Sequence, residues 1–198
     1  MRFLTSSRRV FWVALVTVSL SGLLPQSPAV SNFTFYVDAA SPSVSTCPFV
    51  PNGSACPAAC TVPTCGTQVN PCKGIQSVIN IANCAIGSDP NLEADVSVTA
   101  GTYTERLFIL PNVHVIGAGR EVTTLDPDNC ATTPCGSNGQ RGSVVVFSEG
   151  GVGFARPKQK FSISGFRLMH GSGTQITFGD LTHARGGGGI LVFGDVLF

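Results

Sequence analysis

Short runs of β-branched residues that stop at glycine dominate the middle of the chain. Three such runs, rich in Val, Ile and Thr, cover residues 96–99, 113–116 and 122–125. Turns at residues 100–103 and 117–120 separate them, and no helical period lies between them. Strands that recur without crossover helices are typical of a solenoid wound from single strands. The pattern therefore predicts an all-β fold.

One segment, residues 73–85, has the period of an amphipathic helix. Its apolar residues recur at i, i+3, i+4 and i+7, as Ile75, Val78, Ile79 and Ala82. Gly87 and Pro90 predict its end. A solenoid exposes its apolar interior and an unpaired strand edge at its first turn. We therefore expect this helix to cover the N-terminal end of the fold.

Further strand-like runs lie on both sides of this region. Residues 30–38 alternate apolar and polar positions, which predicts a first strand. Later runs cover residues 143–147, 160–169 (broken at Gly165), 176–178 and 190–193. Five phenylalanines fall in these runs and are predicted to stack in the interior: Phe147, Phe161, Phe166, Phe178 and Phe193. The runs allow roughly four to six coils in one domain.

Four segments resemble the opening coils of right-handed parallel β-helix proteins, the pectin-lyase-like superfamily. They are residues 36–39 (YVDA), 71–79 (PCKGIQSVI), 100–105 (AGTYTE) and 113–119 (VHVIGAG). The resemblance implies a right-handed parallel β-helix with one N-terminal capping α-helix. Residues 186–190 also resemble the repeat turns of bacterial secreted surface β-helices. Because residues 194–198 end the chain without a cap, we expect a β-helix truncated at its C-terminus, and a partner that covers this end is the alternative.

The first 29 residues have the features of a secretory signal peptide. Arg2, Arg8 and Arg9 precede a mostly apolar run at residues 10–24, and small residues lead to Ala29. An uncleaved anchor is the alternative, although the run is short for a membrane span. We expect residues 1–29 to be removed, residues 30–94 to form the N-terminal strand, Cys-rich loop and capping helix, and residues 95–198 to form the coils.

Composition agrees with a secreted or cell-surface location. Charged residues make up only 12% of the chain, and the formal net charge is +1. Removal of the three leader arginines would leave a slightly acidic protein. Nucleic-acid binding requires a basic surface, so this balance argues against a nucleic-acid partner. No second apolar stretch reaches membrane-spanning length after the leader.

Eight cysteines, an even number in an exported chain, predict disulfides. Six lie in the N-terminal region, namely Cys47, Cys56, Cys60, Cys65, Cys72 and Cys84. Cys130 and Cys135 flank a tight later loop and are the best single pair. The other six allow 15 connectivities among which sequence does not choose. A zinc site at Cys56, Cys60 and Cys65 is the alternative, but paired two-residue spacings and a nearby histidine are missing.

Candidate catalytic and binding groups are few. Asp180, His183 and Arg185 form the one compact trio of catalytic types, in what the pattern predicts is a loop after a strand. Solvated side chains of a turn are the alternative explanation. Arg156, Lys158 and Lys160 form a small basic cluster that could bind the carboxylates of uronic acids. A solvated connection between coils is the favoured explanation of that cluster.

The activities of the family need residues that are not evident here. A pectin methylesterase needs two aspartates and an arginine in a groove, and residues 173–179 resemble its catalytic segment without the aspartate. A pectate lyase needs calcium on clustered carboxylates, whereas Asp126 and Asp128 are the one close pair. Calcium is thus expected only if the protein is a lyase, and otherwise no cofactor or metal.

These observations predict a secreted or cell-surface β-helix protein that contacts carbohydrate, with acidic polysaccharide as the expected partner. No catalytic set is identifiable in it. The alternative is a pectin-active enzyme, a polysaccharide lyase or a pectinesterase-like carbohydrate esterase, whose catalytic coils are incomplete or missing.

Overall fold

A computed structural model describes residues 31–50, 55–87, 89, 91–127, 142–148, 160–171, 174–178, 181–186 and 188–193. The predicted leader lies outside these residues. Most of the described elements are strands, and the two helices are α1 (Ala58–Thr61) and α2 (Ile75–Ile86). The strands are β1 (Ser31–Val37), β2 (Leu92–Val98), β3 (Gly101–Tyr103), β4 (Leu107–Ile109), β5 (Val113–Gly117), β6 (Thr123–Leu125), β7 (Val145–Ser148), β8 (Ser162–Ser164), β9 (Arg167–Leu168), β10 (Thr174–Phe178), β11 (Leu181–Gly186) and β12 (Ile190–Phe193).

Ten of these strands form three parallel sheets. Sheet A has the order β1-β2-β5-β8, sheet B the order β3-β6-β9, and sheet C the order β12-β7-β4. From β2 onward the chain visits A, B and C in turn, and it does so again from β5 and from β8. The remaining two strands, β10 and β11, pair as an antiparallel hairpin between β9 and β12. The fold is thus built mainly from strands in parallel sheets.

Alternation along sheet A separates a buried side from a polar side. In β2, Ala94, Val96 and Val98 are buried, whereas the residues between them are partly exposed. Val96 pairs with Val115 of β5, which pairs with Ile163 of β8, so apolar side chains stack from strand to strand. The interior therefore consists of rows of aliphatic side chains, each row supplied by successive strands.

The backbones of β5 and β8 approach each other closely where the two strands end. A Cβ placed on Gly117 would lie 2.5 Å from the carbonyl oxygen of Gly165, and Gly165 itself has a φ of +74°. A side chain at position 117 would clash with the backbone of Gly165, and the positive φ of Gly165 favours glycine there. The break predicted at Gly165 is confirmed, because β8 ends before it and β9 begins after it.

Helix α2 begins without a capping side chain of its own. Its N-cap residue is Gly74, and its first turn holds no acidic residue. Glu105, between β3 and β4, supplies the cap: its Oε1 accepts from Ile75 N at 2.8 Å and its Oε2 accepts from Gln76 N at 2.9 Å. A carboxylate at this position also interacts favourably with the helix dipole. The residue that caps the helix is therefore 30 positions from Ile75 in the sequence.

Two buried asparagines of α2 bond to the Cys-rich loop. Asn80 donates to the carbonyl of Cys47 at 3.2 Å, and Asn83 donates to that of Val50 at 3.1 Å. Both amides are buried, and these bonds offset the cost of removing them from water. The sequence predicted one apolar stripe, but α2 is covered on two sides.

Gln76 joins α2 to an exposed strand edge. Its Oε1 accepts from the backbone N–H of Phe108 at 2.7 Å, and its Nε2 donates to the carbonyl of the same residue at 3.3 Å. Phe108 belongs to β4, which is the end strand of sheet C. The amide thus replaces a neighbouring strand at this position, where an unpaired edge would otherwise face solvent.

Three disulfides hold the N-terminal region together. They join Cys47 to Cys60, Cys56 to Cys84, and Cys65 to Cys72. The second bridge ties the loop to α2. All three cysteines of the alternative zinc site are occupied in these bridges, so that alternative is wrong. Cys130 and Cys135 lie outside the described residues, and their pairing stays a prediction.

The structure differs from the predicted elements in several places. The predicted turn at residues 100–103 contains β3, and β4 and β11 had no predicted counterpart. Helix α2 covers residues 75–86 rather than 73–85. Of the predicted phenylalanine stack, Phe147 and Phe161 are stacked at 4.8 Å between ring centroids, and Phe166 packs against the core. The side chains of Phe178 and Phe193 lie outside the described part.

Among the helices in the described ranges, none is long and apolar enough to cross a membrane. The three disulfides are compatible with the extracellular location that the leader predicts.

We expect Glu105→Gln to change the pH dependence of folding. Burial raises the pKa of the Glu105 carboxyl, and its bonds to the backbone of Gln76 and Ile75 lower it less. The folded state then holds the proton more tightly than the unfolded state. The contribution of this group to the unfolding free energy is full below the ordinary glutamate pKa and is lost as pH rises through the raised pKa.

Urea unfolding at several pH values measures this effect. The stability of the wild type relative to Glu105→Gln should fall with rising pH across that window. The control is Glu121→Gln, because Glu121 is exposed and forms a surface pair with exposed Arg120. A stability difference that rises with pH would contradict the assignment.

Peptide mapping of the non-reduced protein should recover three crosslinked pairs, Cys47–Cys60, Cys56–Cys84 and Cys65–Cys72. The alkylated, reduced chain is the control. A peptide that joins Cys56 to Cys60 would contradict the structure, and so would free thiols at any of these six positions.

Candidate functional site

The polar side of sheet A brings together titratable groups from three neighbouring strands. Glu93 and Asp95 lie on β2, His114 on β5 and Ser162 on β8. The register pairs Asp95 with His114, and His114 with Ser162. Parallel strands are spaced about 4.8 Å apart, so residues paired in this way are direct neighbours. We call Glu93, Asp95, His114, Lys160 and Ser162 the polar face.

Lys160 reaches the polar face because the start of β8 is bonded to the start of β5. Asn112 has a φ of +63°, a conformation that asparagine tolerates better than most residues. Its backbone N–H donates to the carbonyl of Lys160, and its Oδ1 accepts from the N–H of Lys160 at 3.3 Å. This turn fixes the backbone of Lys160 beside β5.

Glu93 contacts an ammonium group and an imidazole ring through different oxygens. Its Oε1 lies 3.2 Å from Lys160 Nζ, and its Oε2 lies 3.4 Å from His114 Nε2. The side chains of Glu93 and His114 are each only 17% exposed, whereas that of Lys160 is 64% exposed. The lysine therefore extends into solvent, while the carboxylate and the imidazole ring are shielded.

The second nitrogen of His114 faces a hydroxyl. Nδ1 lies 2.9 Å from Ser162 Oγ. Because a carboxylate only accepts hydrogen bonds, Glu93 beside Nε2 favours the tautomer of the neutral ring that carries its proton on Nε2. Nδ1 then accepts from the hydroxyl of Ser162. The arrangement orders a carboxylate, an imidazole and a hydroxyl so that the hydroxyl proton can pass to the ring.

A separate carboxylate–imidazole pair lies at the end of sheet B. Asp126 follows β6, and His170 follows β9 at a φ of +54°. Asp126 Oδ1 lies 2.8 Å from His170 Nδ1, with the aspartate side chain 7% and the histidine side chain 56% exposed. The N–H of Asp126 also donates to the carbonyl of Tyr103, so the carboxylate is fixed by the ladder of sheet B. This pair leaves Nε2 of His170 as the outer nitrogen.

The residues predicted from sequence have different outcomes. Lys160 lies on the polar face, but Arg156 and Lys158 lie outside the described residues, as does Asp180. His183 and Arg185 lie in β11 of the hairpin, not in the predicted loop. Their side chains are not described, so a role for the trio stays a prediction. Asp126 pairs with His170, while Asp128 lies outside the described part.

Within the described ranges, no group of three or more His, Cys, Asp or Glu side chains is arranged to hold a metal ion. On the polar face, the carboxylate of Glu93 already contacts Lys160 and His114.

Comparison of the chain with protein-family models, with curated proteins and with solved structures finds no match. The proposed function therefore rests on the geometry of the polar face and on the parallel sheets.

We expect His114 and His170 to adopt opposite neutral tautomers. Glu93 favours a proton on Nε2 of His114, whereas Asp126 favours one on Nδ1 of His170. Long-range proton–nitrogen NMR spectra above the titration range distinguish the two tautomers.

Variants His114→Gln and His170→Gln assign the signals, and His183 is the third histidine of the chain. The same tautomer at both positions would contradict one of the two pairings.

Proposed function

We propose that the protein is an exported right-handed parallel β-helix protein that contacts carbohydrate through the polar face of sheet A. The cyclic order in which the chain visits sheets A, B and C supports the solenoid, and α2 is suited to the role of its N-terminal cap. The three disulfides and the leader-like first 29 residues support export.

The observation that carries the proposal is the lattice of hydrogen-bonding side chains on sheet A. Neighbouring strands are about 4.8 Å apart and alternate residues of one strand roughly 6.6 Å apart, so donors and acceptors repeat in two directions. The carboxylate of Asp95 and the oxygen of Ser162 are available as acceptors, and exposed Lys160 as a donor, beside the more shielded His114. A flat, regular set of such groups is complementary to the hydroxyls of an extended polysaccharide.

An adjoining row adds apolar surface. Tyr36 pairs with Ser97, which pairs with Ile116, and the side chain of Ile116 is 42% exposed. Sugar rings have apolar faces as well as hydroxyls, and a tyrosine ring offers both an apolar surface and a polar group. The two rows together offer the mixture of contacts that a glycan requires.

Charge on the polar face bears on the class of polysaccharide. Lys160 and Glu93 compensate each other, and Asp95 adds a negative charge. A polyuronate would therefore bind through Lys160, or through calcium between its carboxylates and Asp95. A neutral or esterified glycan would need neither Lys160 nor calcium for binding. Acidic polysaccharide remains the partner that the basic cluster at Arg156, Lys158 and Lys160 predicts. The binding test below distinguishes an acidic polysaccharide from a neutral or esterified glycan.

The second candidate function is an enzyme acting on pectin or a related polysaccharide, either a lyase or a carbohydrate esterase. The observation that favours it is the shielded imidazole of His114 between a carboxylate and a hydroxyl. General-base chemistry needs an imidazole held in this way. A lyase would in addition require calcium, whereas an esterase would not.

We expect Asp95→Ala and Tyr36→Ala each to weaken glycan binding about tenfold, a loss equivalent to roughly 1.4 kcal/mol. Calorimetry of the exported chain with polygalacturonate, methylated pectin and a neutral glycan, with and without calcium, measures the effect.

Glu121→Ala is the control, since Glu121 is exposed and lies just before β6 of sheet B. Binding that needs calcium and is lost in Asp95→Ala would indicate bridged uronates. Binding unaffected by both face variants would place the ligand elsewhere and contradict the proposal.

A further inference from the structure

Glu93, His114 and Ser162 stand in the order carboxylate, imidazole and hydroxyl on three neighbouring strands. We propose that they form an acyl-transfer site in which Ser162 is the nucleophile, His114 the general base and Glu93 the group that positions the imidazole. The substrate would be an O-acylated carbohydrate. The substrate class depends on the proposed carbohydrate contact, whereas the reactivity of Ser162 does not.

The three positions differ in accessibility as such a site requires. Ser162 is exposed on β8, an end strand of sheet A, so an ester can reach its Oγ. His114 and Glu93 are each 17% exposed and lie behind it toward the middle of the sheet. Shielding keeps water from competing for the imidazole and strengthens its interaction with the carboxylate.

The pattern of contacts fixes which nitrogen acts as the base. Glu93 Oε2 lies beside Nε2 at 3.4 Å, so the lone pair is on Nδ1, 2.9 Å from Ser162 Oγ. Lys160 contacts the other oxygen of Glu93 at 3.2 Å, which holds the carboxylate with Oε2 toward the ring. A simple surface ion pair between Lys160 and Glu93 would not require the imidazole to bridge to a serine.

The reaction that this arrangement supports is hydrolysis of an ester in two steps. Ser162 Oγ bonds to the acyl carbon while its proton passes to His114 Nδ1. The bond from that carbon to the sugar oxygen breaks, and the sugar takes the proton. Water then attacks the acyl-serine, its proton passes to Nδ1, and Ser162 leaves with that proton while the carboxylic acid is released. Ester and water give acid and alcohol, so no cofactor is consumed.

The first test is covalent labelling of the whole exported chain with an alkyl fluorophosphonate, which captures activated serines. Intact mass and peptide mapping should show one label, on Ser162. His114→Gln should slow labelling by about 100-fold or more, the usual contribution of a general base, and Ser162→Ala should abolish it. Ser164→Ala is the matched control. Ser164 is an exposed serine of the same strand, but it pairs with Ile116 rather than with a histidine. The Ser164→Ala variant should therefore be labelled on Ser162 at the wild-type rate.

The second test separates positioning by Glu93 from a role in folding alone. Glu93→Gln should slow labelling and also shift His114 away from the Nε2-protonated tautomer in nitrogen NMR spectra. Glu93→Asp should restore both in part. Retained disulfides and an unchanged circular dichroism spectrum show that each variant is folded. A folded Glu93→Gln variant with wild-type labelling would overturn the role of Glu93.

The third test is acetate release from acetylated xylan oligosaccharides and acetylated pectin. Release that disappears in Ser162→Ala supports the whole proposal. Glycan binding without labelling of Ser162 would overturn the acyl-transfer site and leave the carbohydrate contact intact. Labelling of Ser162 with hydrolysis of p-nitrophenyl acetate, but without glycan binding, would support the site and overturn carbohydrate as its substrate. Labelling that survives His114→Gln would overturn the proposed base.

Discussion

The bidentate contact of Glu105 with the first turn of α2 is the constraint on which the N-terminal half of the structure depends. The helix has no capping side chain of its own. The connection between β3 and β4 supplies the carboxylate that caps it. The contact meets the hydrogen-bonding needs of both groups. The free N–H groups at the start of α2 gain acceptors, and the buried carboxylate of Glu105 gains donors. Because α2 packs against β1, β2 and β4, the position of the helix and the start of sheets A and C are set together.

The remaining polar groups of α2 extend this coupling to the Cys-rich loop. Asn80 and Asn83 hold the backbone of residues 47 and 50, and Cys84 is bonded to Cys56. A loop with few apolar residues cannot form a core of its own. It is instead held against the helix by buried amides, which are costly to leave unpaired, and by bridges that restrict its unfolded state. In this way the loop becomes a second layer over α2.

The sequence predicted elements whose signals are local and missed those that depend on distant residues. The period of residues 75–82 is sufficient for α2, and the β-branched run at residues 190–193 is sufficient for β12. In contrast, β4 has three residues next to a polar turn, and its edge is completed by Gln76, 32 positions earlier. The link between His114 and Ser162 joins residues 48 positions apart. Only the parallel register brings them together, so neither residue stood out in the sequence.

The hairpin of β10 and β11 has a consequence for how this fold can vary. It leaves the parallel sheets after β9, and β12 still pairs with β7 through four residues in uninterrupted register. The ladder of β12 with β7 resumes after the hairpin, so the parallel pairing accommodates an insertion between β9 and β12 without a shift of register. The same position offers a protein engineer a place at which to graft a peptide.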